Sequence, residues 1–213
     1  MSDIKPAAGV VTRTEIVVRR SRFIALLARA ADEEQAREFV AGARREFPDA
    51  RHHCSAFVVS TTGANPVMRS ADDGEPPGTA GMPMLDVLRA SGLCDVVAVV
   101  VRYFGGTKLG TGGLVRAYSD AVRAALERTP TVRAVRLSAR SLELSHAEAA
   151  RVEAELRARG VEVADVEYTG TGTQLTLLTD DVAGLYAAVQ ALTSGGGELR
   201  PAGERVVEIS AGS

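Results

Sequence analysis

The stretch Val96-Val97-Ala98-Val99-Val100-Val101-Arg102-Tyr103-Phe104-Gly105-Gly106-Thr107-Lys108-Leu109-Gly110-Thr111-Gly112-Gly113-Leu114-Val115-Arg116-Ala117-Tyr118-Ser119-Asp120 runs from an apolar β-branched segment through a glycine-rich loop into a helical pattern. Its first six residues, five of them valine, have the length and branching of a strand covered on both faces, which puts it at the centre of a sheet. Gly105, Gly106, Gly110, Gly112 and Gly113 follow at a density that is entropically costly unless the backbone takes positive φ or approaches something closely. From Thr111 onward Leu114, Val115, Tyr118, Ala121, Val122, Ala125 and Leu126 recur at helical spacing, with Thr111 or Gly112 as the first cap.

The glycines therefore end at a helix N-terminus, where free backbone N–H groups and the positive end of the dipole suit an anion. Lys108 and Arg116 beside that terminus oppose the dipole at roughly 0.3–1 kcal/mol each unless a carboxylate or a bound anion offsets them. Two readings stand: an anion site, or Arg116 paired with Asp120 at i, i+4 and a solvated Lys108. The named phosphate motifs do not fit. Gly105 to Gly110 has Walker spacing, but Thr111 stands where the lysine belongs, and Val115 occupies the third small position of a dinucleotide fingerprint.

Composition sets the bounds. The 213 residues are 46% hydrophobic but only 4% aromatic, with no tryptophan, so alanine, valine and leucine must fill the core. Two cysteines, Cys54 and Cys94, lie in apolar strand patterns and form no disulfide framework. The N-terminus has no signal-peptide core, and no apolar run approaches the ~18 residues of a membrane helix, so a cytoplasmic protein without membrane contact is expected. A net charge of −2 excludes a whole-protein basic footprint. Residues 1–132 hold 17 Lys/Arg against 15 Asp/Glu, and residues 133–213 hold 8 against 12, so the first part suits an anion better.

Residues 11–18 and 22–29 read as a hairpin across Arg19-Arg20-Ser21, with Arg13, Arg19, Arg20, Arg22 and Arg29 giving it a basic side. Asp32 caps a helix from Glu33 to about Phe47, and His52–Ser60 reads as a strand. On that strand only His52 and Cys54 share a face, and no other Cys/His cluster completes a ligand set, so no metal or cofactor is expected. The loop Ser70-Ala71-Asp72-Asp73-Gly74-Glu75-Pro76-Pro77-Gly78-Thr79-Ala80-Gly81 lacks EF-hand spacing. It reads as a second wall of the site, with His52 at the entrance and Asp72, Asp73 and Glu75 pairing with Arg102, Lys108 or Arg116. Thr79 then caps a helix that ends at Ser91-Gly92.

Thr129-Pro130-Thr131 breaks the pattern, giving two domains, 1–132 and 133–213. The second reads as strand (Arg136–Leu144), helix (His146–Arg159), a hairpin (Val161–Tyr168, Thr173–Thr179), helix (Asp180–Leu192) and strand (Glu198–Ile209). That is the ferredoxin-like βαββαβ order. It offers few aromatics, Tyr168 and Tyr186, for stacking RNA bases, and reads as a docking unit.

The acidic loop Asp72–Gly81 together with Arg102–Tyr118 resembles the YigZ/IMPACT family, in its bacterial two-domain form. His52 and Cys54 also match. His53 stands where many relatives have asparagine, Ser55 where they have an aromatic, and Pro77 where they have serine or alanine. The resemblance implies an α+β protein whose N-terminal domain is like domain IV of elongation factor G, a βαβ-containing two-layer sandwich, before a ferredoxin-like half like its domain V. It implies translation regulation, as in eukaryotic relatives, and RNA or the ribosome as partner. Arg102, Gly105, Gly106, Lys108, Gly110, Gly112, Gly113 and Arg116 would form the anion or nucleic-acid site of a non-catalytic regulator. Two alternatives stay open: an enzyme or binding protein for a nucleotide or phosphorylated small ligand, with Asp72, Asp73 or Glu75 as base or magnesium ligand, and a protein-interaction module.

Overall fold

Val96–Val101 is buried at every position, and its two faces serve separate cores. The computed structural model describes residues 4–61 and 63–211. The elements run β1 (Ile4–Pro6), β2 (Val11–Val18), β3 (Ser21–Arg29), α1 (Glu33–Glu46), β4 (His52–Val59), β5 (Val67–Ala71), α2 (Gly81–Ser91), β6 (Val96–Tyr103), α3 (Thr111–Leu126), β7 (Thr131–Leu144), α4 (His146–Ala158), β8 (Glu162–Tyr168), β9 (Thr173–Thr179), α5 (Val182–Leu192) and β10 (Leu199–Ser210). They divide into two compact units, one running through Arg133 with Ser210 onward and the other spanning Ala134–Ile209.

In the N-terminal unit the sheet order is β2-β3-β6-β4-β5, so the valine strand β6 is central, and every pairing is antiparallel. Strands β3 and β4 flank β6, run parallel to each other and are joined through α1, a βαβ crossover with one strand between. Val96, Ala98 and Val100 pack with Phe23, Met84, Leu88, Tyr118 and Val122 beneath α2 and α3. Val97, Val99 and Val101 face the other way, toward Ala36, Ala43 and Phe47 of the α1 region. The domain IV-like sandwich thus carries α1 as a third layer, because a strand apolar at every position needs cover on both faces.

Local chemistry sets the element ends. Arg19 and Arg20, at φ +46° and +69°, make the two-residue turn that closes β2 on β3. Asp32 caps α1 by accepting from the Gln35 N–H at 2.7 Å. Helix α2 is capped differently from the sequence expectation: Thr79 turns its hydroxyl onto the Pro76 carbonyl, and Asp72 accepts from the Ala80 and Gly81 N–H groups instead. Part of the expected loop is also regular, since Ser70 and Ala71 end β5. Strand β1, paired with Thr131–Arg133, has too few residues to show a pattern.

In the C-terminal unit β10, β7, β9 and β8 lie in that order, which is the ferredoxin-like arrangement. Leu142, Leu144, Leu175 and Leu177 pack against Val152 and Leu156 of α4 and Leu185 and Val189 of α5. Among the described residues no helix is long and apolar enough to cross a membrane.

Candidate functional site

The acidic loop and the glycine-rich loop meet over the end of β6. Arg102, the seventh residue of that strand, is only 7% exposed, and its Nη1 donates to Glu75 Oε1 at 2.6 Å. The Tyr118 hydroxyl of α3 donates to the same Glu75 oxygen at 2.8 Å. Phe23 and Phe104 flank the guanidinium, their ring centroids 5.5 and 5.7 Å from Cζ. Arg102 Nε is buried without a hydrogen-bond partner among the described residues. Arg102 is therefore the internal clasp of the two loops and not a surface cation.

Each residue of the second wall already has a partner in the protein. Asp72 accepts from the Gly78, Ala80 and Gly81 N–H groups at 2.8–3.0 Å. Burial pushes its carboxyl up, but those three donors win and hold it below the ordinary range. Asp73, at φ +45°, accepts from Arg44 at 2.5 Å and from the His53 N–H at 2.6 Å. Burial again opposes, and Arg44 and the His53 N–H again prevail, so Asp73 is also held low. His52 Nδ1 lies 2.9 Å from the Asp73 carbonyl oxygen. Cys54, on the same face of β4, donates its thiol to the Asp72 carbonyl at 3.0 Å and lies 3.3 Å from Tyr118 Oη. Burial pushes that thiol up to about 12, and drives the Tyr118 hydroxyl up as well. Burial thus favours the protonated form of both groups.

The remaining cations lie on the outside. Lys108 and Arg116 are exposed, and neither has an ion pair among the described residues. The pairing of Arg116 with Asp120 does not form, because Asp120 takes Arg123 at 2.7 Å. Arg19 and Arg20, also exposed and without an ion pair among the described residues, sit on a turn whose backbone the glycine-rich loop closely approaches. A Cβ on Gly105 would stand 2.0 Å from the Arg20 carbonyl carbon, so only glycine lets the loop lie on this turn. The Gly105 N–H donates to Ser21 Oγ at 3.2 Å. Gly110, at φ +74°, is the N-cap of α3 in place of Thr111 or Gly112, and no side chain caps the helix. A pocket of about 270 Å³ opens there, lined by Arg19, Leu109, Gly112, Gly113, Arg116 and Asp120. Gly106 lies beside it in the loop, at φ +85°.

Two further arginines of the hairpin's basic side are paired: Arg13 bonds Glu46 at 2.9 Å and Arg22 bonds Glu15 at 2.7 Å. Sequence reasoning missed Tyr118 as a functional group because its spacing reads as core, although a buried tyrosine hydroxyl needs a partner. It missed Arg44 because nothing local links it to Asp73. In the C-terminal unit Tyr168 is exposed beside His146, while Tyr186 lies on α5, off the sheet.

The Impact N-terminal domain matches residues 19–126, which hold both loops, the Arg19-Arg20 turn and the clasp. IMPACT family member YigZ of Escherichia coli (strain K12) is 46% identical over 151 residues, covering 71% of this chain and 73% of the relative. IMPACT family member YvyE of Bacillus subtilis (strain 168) is 39% identical over 155 residues, covering 73% and 70%. A crystal structure of a hypothetical protein, 36% identical, superposes with a TM-score of 0.58 over 93% of this chain and 96% of that one. With a domain match over half its length and relatives of this similarity along most of it, the chain belongs to the IMPACT family.

Proposed function

We propose that this protein is a non-catalytic regulator that acts on translation by binding RNA or the ribosome. The contact is the outer edge formed by the β2–β3 turn, the glycine-rich loop and the start of α3. One observation carries the reading: Arg19 and Arg116 line one pocket at the uncapped N-terminus of α3, the loop that carries Lys108 lies against the Arg20 backbone, and none of these four cations has an ion pair among the described residues. Cations at the positive end of a dipole raise the energy of the free protein, and a phosphate backbone relieves that repulsion while accepting the free N–H groups. Arg102 takes no direct part; with Glu75 it fixes the loop that presents Lys108. The family resemblance supports translation as the process served.

The test is co-sedimentation with ribosomes and with total RNA across a salt series, wild type beside Lys108→Ala/Arg116→Ala. Affinity falls with salt, and the slope of log K against log salt drops by roughly 0.7–0.9 for each phosphate contact removed. Binding that ignores salt, or that survives unchanged in the double variant, overturns the assignment.

A second reading draws on the pocket of about 270 Å³ at Gly112, Gly113, Arg19 and Arg116, which suits a phosphorylated small molecule. Its enzymatic form is disfavoured by the acidic loop, whose three carboxylates are committed to Gly78–Gly81, Arg44 and Arg102. Calorimetric titration with inorganic phosphate and a nucleoside monophosphate separates this reading from the polymer.

A further inference from the structure

Strand β2 is an edge of its sheet, and its free side is complementary to itself. It pairs with β3 without a bulge, and its two-residue turn makes Val18↔Ser21 the closing pair. Counting back from that hydrogen-bonded pair, Val17, Glu15, Arg13 and Val11 direct their backbone N–H and C=O groups to the open edge. These four also share one sheet face and are exposed, Val11 at 56% and Val17 at 63%. Exposed valines on an unpaired edge invite strand addition, and a lysine or proline that would block it is missing from Val11–Val18.

We propose that two copies of this chain associate through antiparallel β2–β2 pairing about a two-fold axis at Thr14. In that register Arg13 of each copy lies opposite Glu15 of the other, and Val11 opposite Val17. The neighbouring registers allowed by the hydrogen-bond alternation set Arg13 against Arg13, or Glu15 against Glu15, so charge selects one alignment. Arg22 and Glu46, which already hold Glu15 and Arg13, extend the pairing into an alternating row: Arg22, Glu15, then Arg13 and Glu46 of the second copy. The axis meets a loose end in the single chain. Thr14 is 6% exposed, and its hydroxyl is buried with no hydrogen-bond partner among the described residues. Two Thr14 residues face each other in a non-hydrogen-bonded pair, where side chains approach most closely, and rotation about χ1 gives each hydroxyl the other as partner. An interface of one strand from each copy is at the small end for specific association, so the dimer is weak and concentration-dependent.

Sedimentation velocity of the full chain over a concentration series, combined with oxidative cross-linking, tests the state and the register together. Thr14→Cys is nearly isosteric and places two thiols across a pair with Cα atoms about 4.5 Å apart, within disulfide reach. Thr12→Cys, on the same face and similarly buried, faces Ile16 of the other copy and serves as control. The expected result is a reversible dimer that Thr14→Cys locks under oxidation and Thr12→Cys does not, weakened roughly tenfold by Arg13→Glu as two like-charge pairs form. A monomer at every concentration overturns the proposal. So does a dimer that Thr14→Cys fails to lock, or that Thr12→Cys locks equally well.

Discussion

Arg102 stands beside Lys108 and Arg116 in the sequence as a third cation of an anion site, yet the fold buries it against a carboxylate 27 positions earlier. Removing one partner of a buried pair leaves the other charge uncompensated, so Glu75→Gln lowers unfolding free energy by about 3–5 kcal/mol, measured by urea denaturation. Lys108→Ala, at an exposed position, stays within about 0.5 kcal/mol. Asp72 acts through backbone donors, and its effect has a pH signature. Its folded carboxyl sits below the unfolded value of about 3.9, so its stabilisation is complete above that pH and is lost as pH falls through the folded value. Asp72→Ala therefore destabilises by about 0.5–2 kcal/mol at pH 7, and the gap to wild type narrows below about pH 4; a gap constant down to acid unfolding would contradict the capping role. Which cations face solvent was not legible in the sequence, because Arg102 meets Glu75, and Arg44 meets Asp73, only in the folded chain. The presence of a polar cluster at these two loops was legible, since glycine density and adjacent acids need a structural reason wherever they occur.

At the scale of elements, hydrophobic period decided most of the outcome. The six-residue apolar run of β6, the helical spacing of α3 and the alternation along β9 each bury the positions that the pattern itself defines. Failures cluster where an element depends on distant chain. Helix α2 begins at Gly81 and not on a Thr79 cap because Asp72, eight and nine residues earlier, reaches back to the Ala80 and Gly81 N–H groups. Strand β5 is short, and only its pairing to β4 makes it regular. The β2–β3 turn and the glycine-rich loop form another such pair, joined at one position. Gly105→Ala sets a methyl 2.0 and 2.1 Å from the Arg20 carbonyl atoms, backbone that cannot swing aside as a side chain can. The loop must lift from the turn, so this variant loses about 1–3 kcal/mol, and hydrogen exchange rises at Ser21 and Gly105. Gly112→Ala, with open space about the added carbon, is the control. Equal protection in both variants would show that the turn and the loop are not coupled.

Across the whole molecule the two halves differ in sign of charge and in how each closes its core. The N-terminal unit wraps one sheet on both faces, while the C-terminal unit covers a single face with α4 and α5. All ten buried residues of the second core, from Leu142 to Val189, lie within the Ala134–Ile209 unit, and their partly buried neighbours Val161, Val166, Ala188, Leu192 and Leu199 do too. Its ferredoxin-like order is made by β7, β8, β9 and β10, while the fifth strand, β1, pairs only with Thr131–Arg133 of β7, outside that unit. A core whose members all come from one segment gains its burial without help from the remainder, whereas a core completed from elsewhere leaves apolar surface exposed when the segment is cut out. Residues 131–211 alone are therefore expected to fold, at the lower limit of size where a single aliphatic core suffices. Circular dichroism with urea should give one cooperative transition with the mixed α/β signal intact in water. A sloping, non-cooperative loss of signal would mean that the second unit depends on the first. Because this segment holds the acidic excess and none of Arg19, Arg20, Lys108 or Arg116, the folded fragment should also fail to sediment with RNA at any salt, which localises the proposed contact to the N-terminal unit.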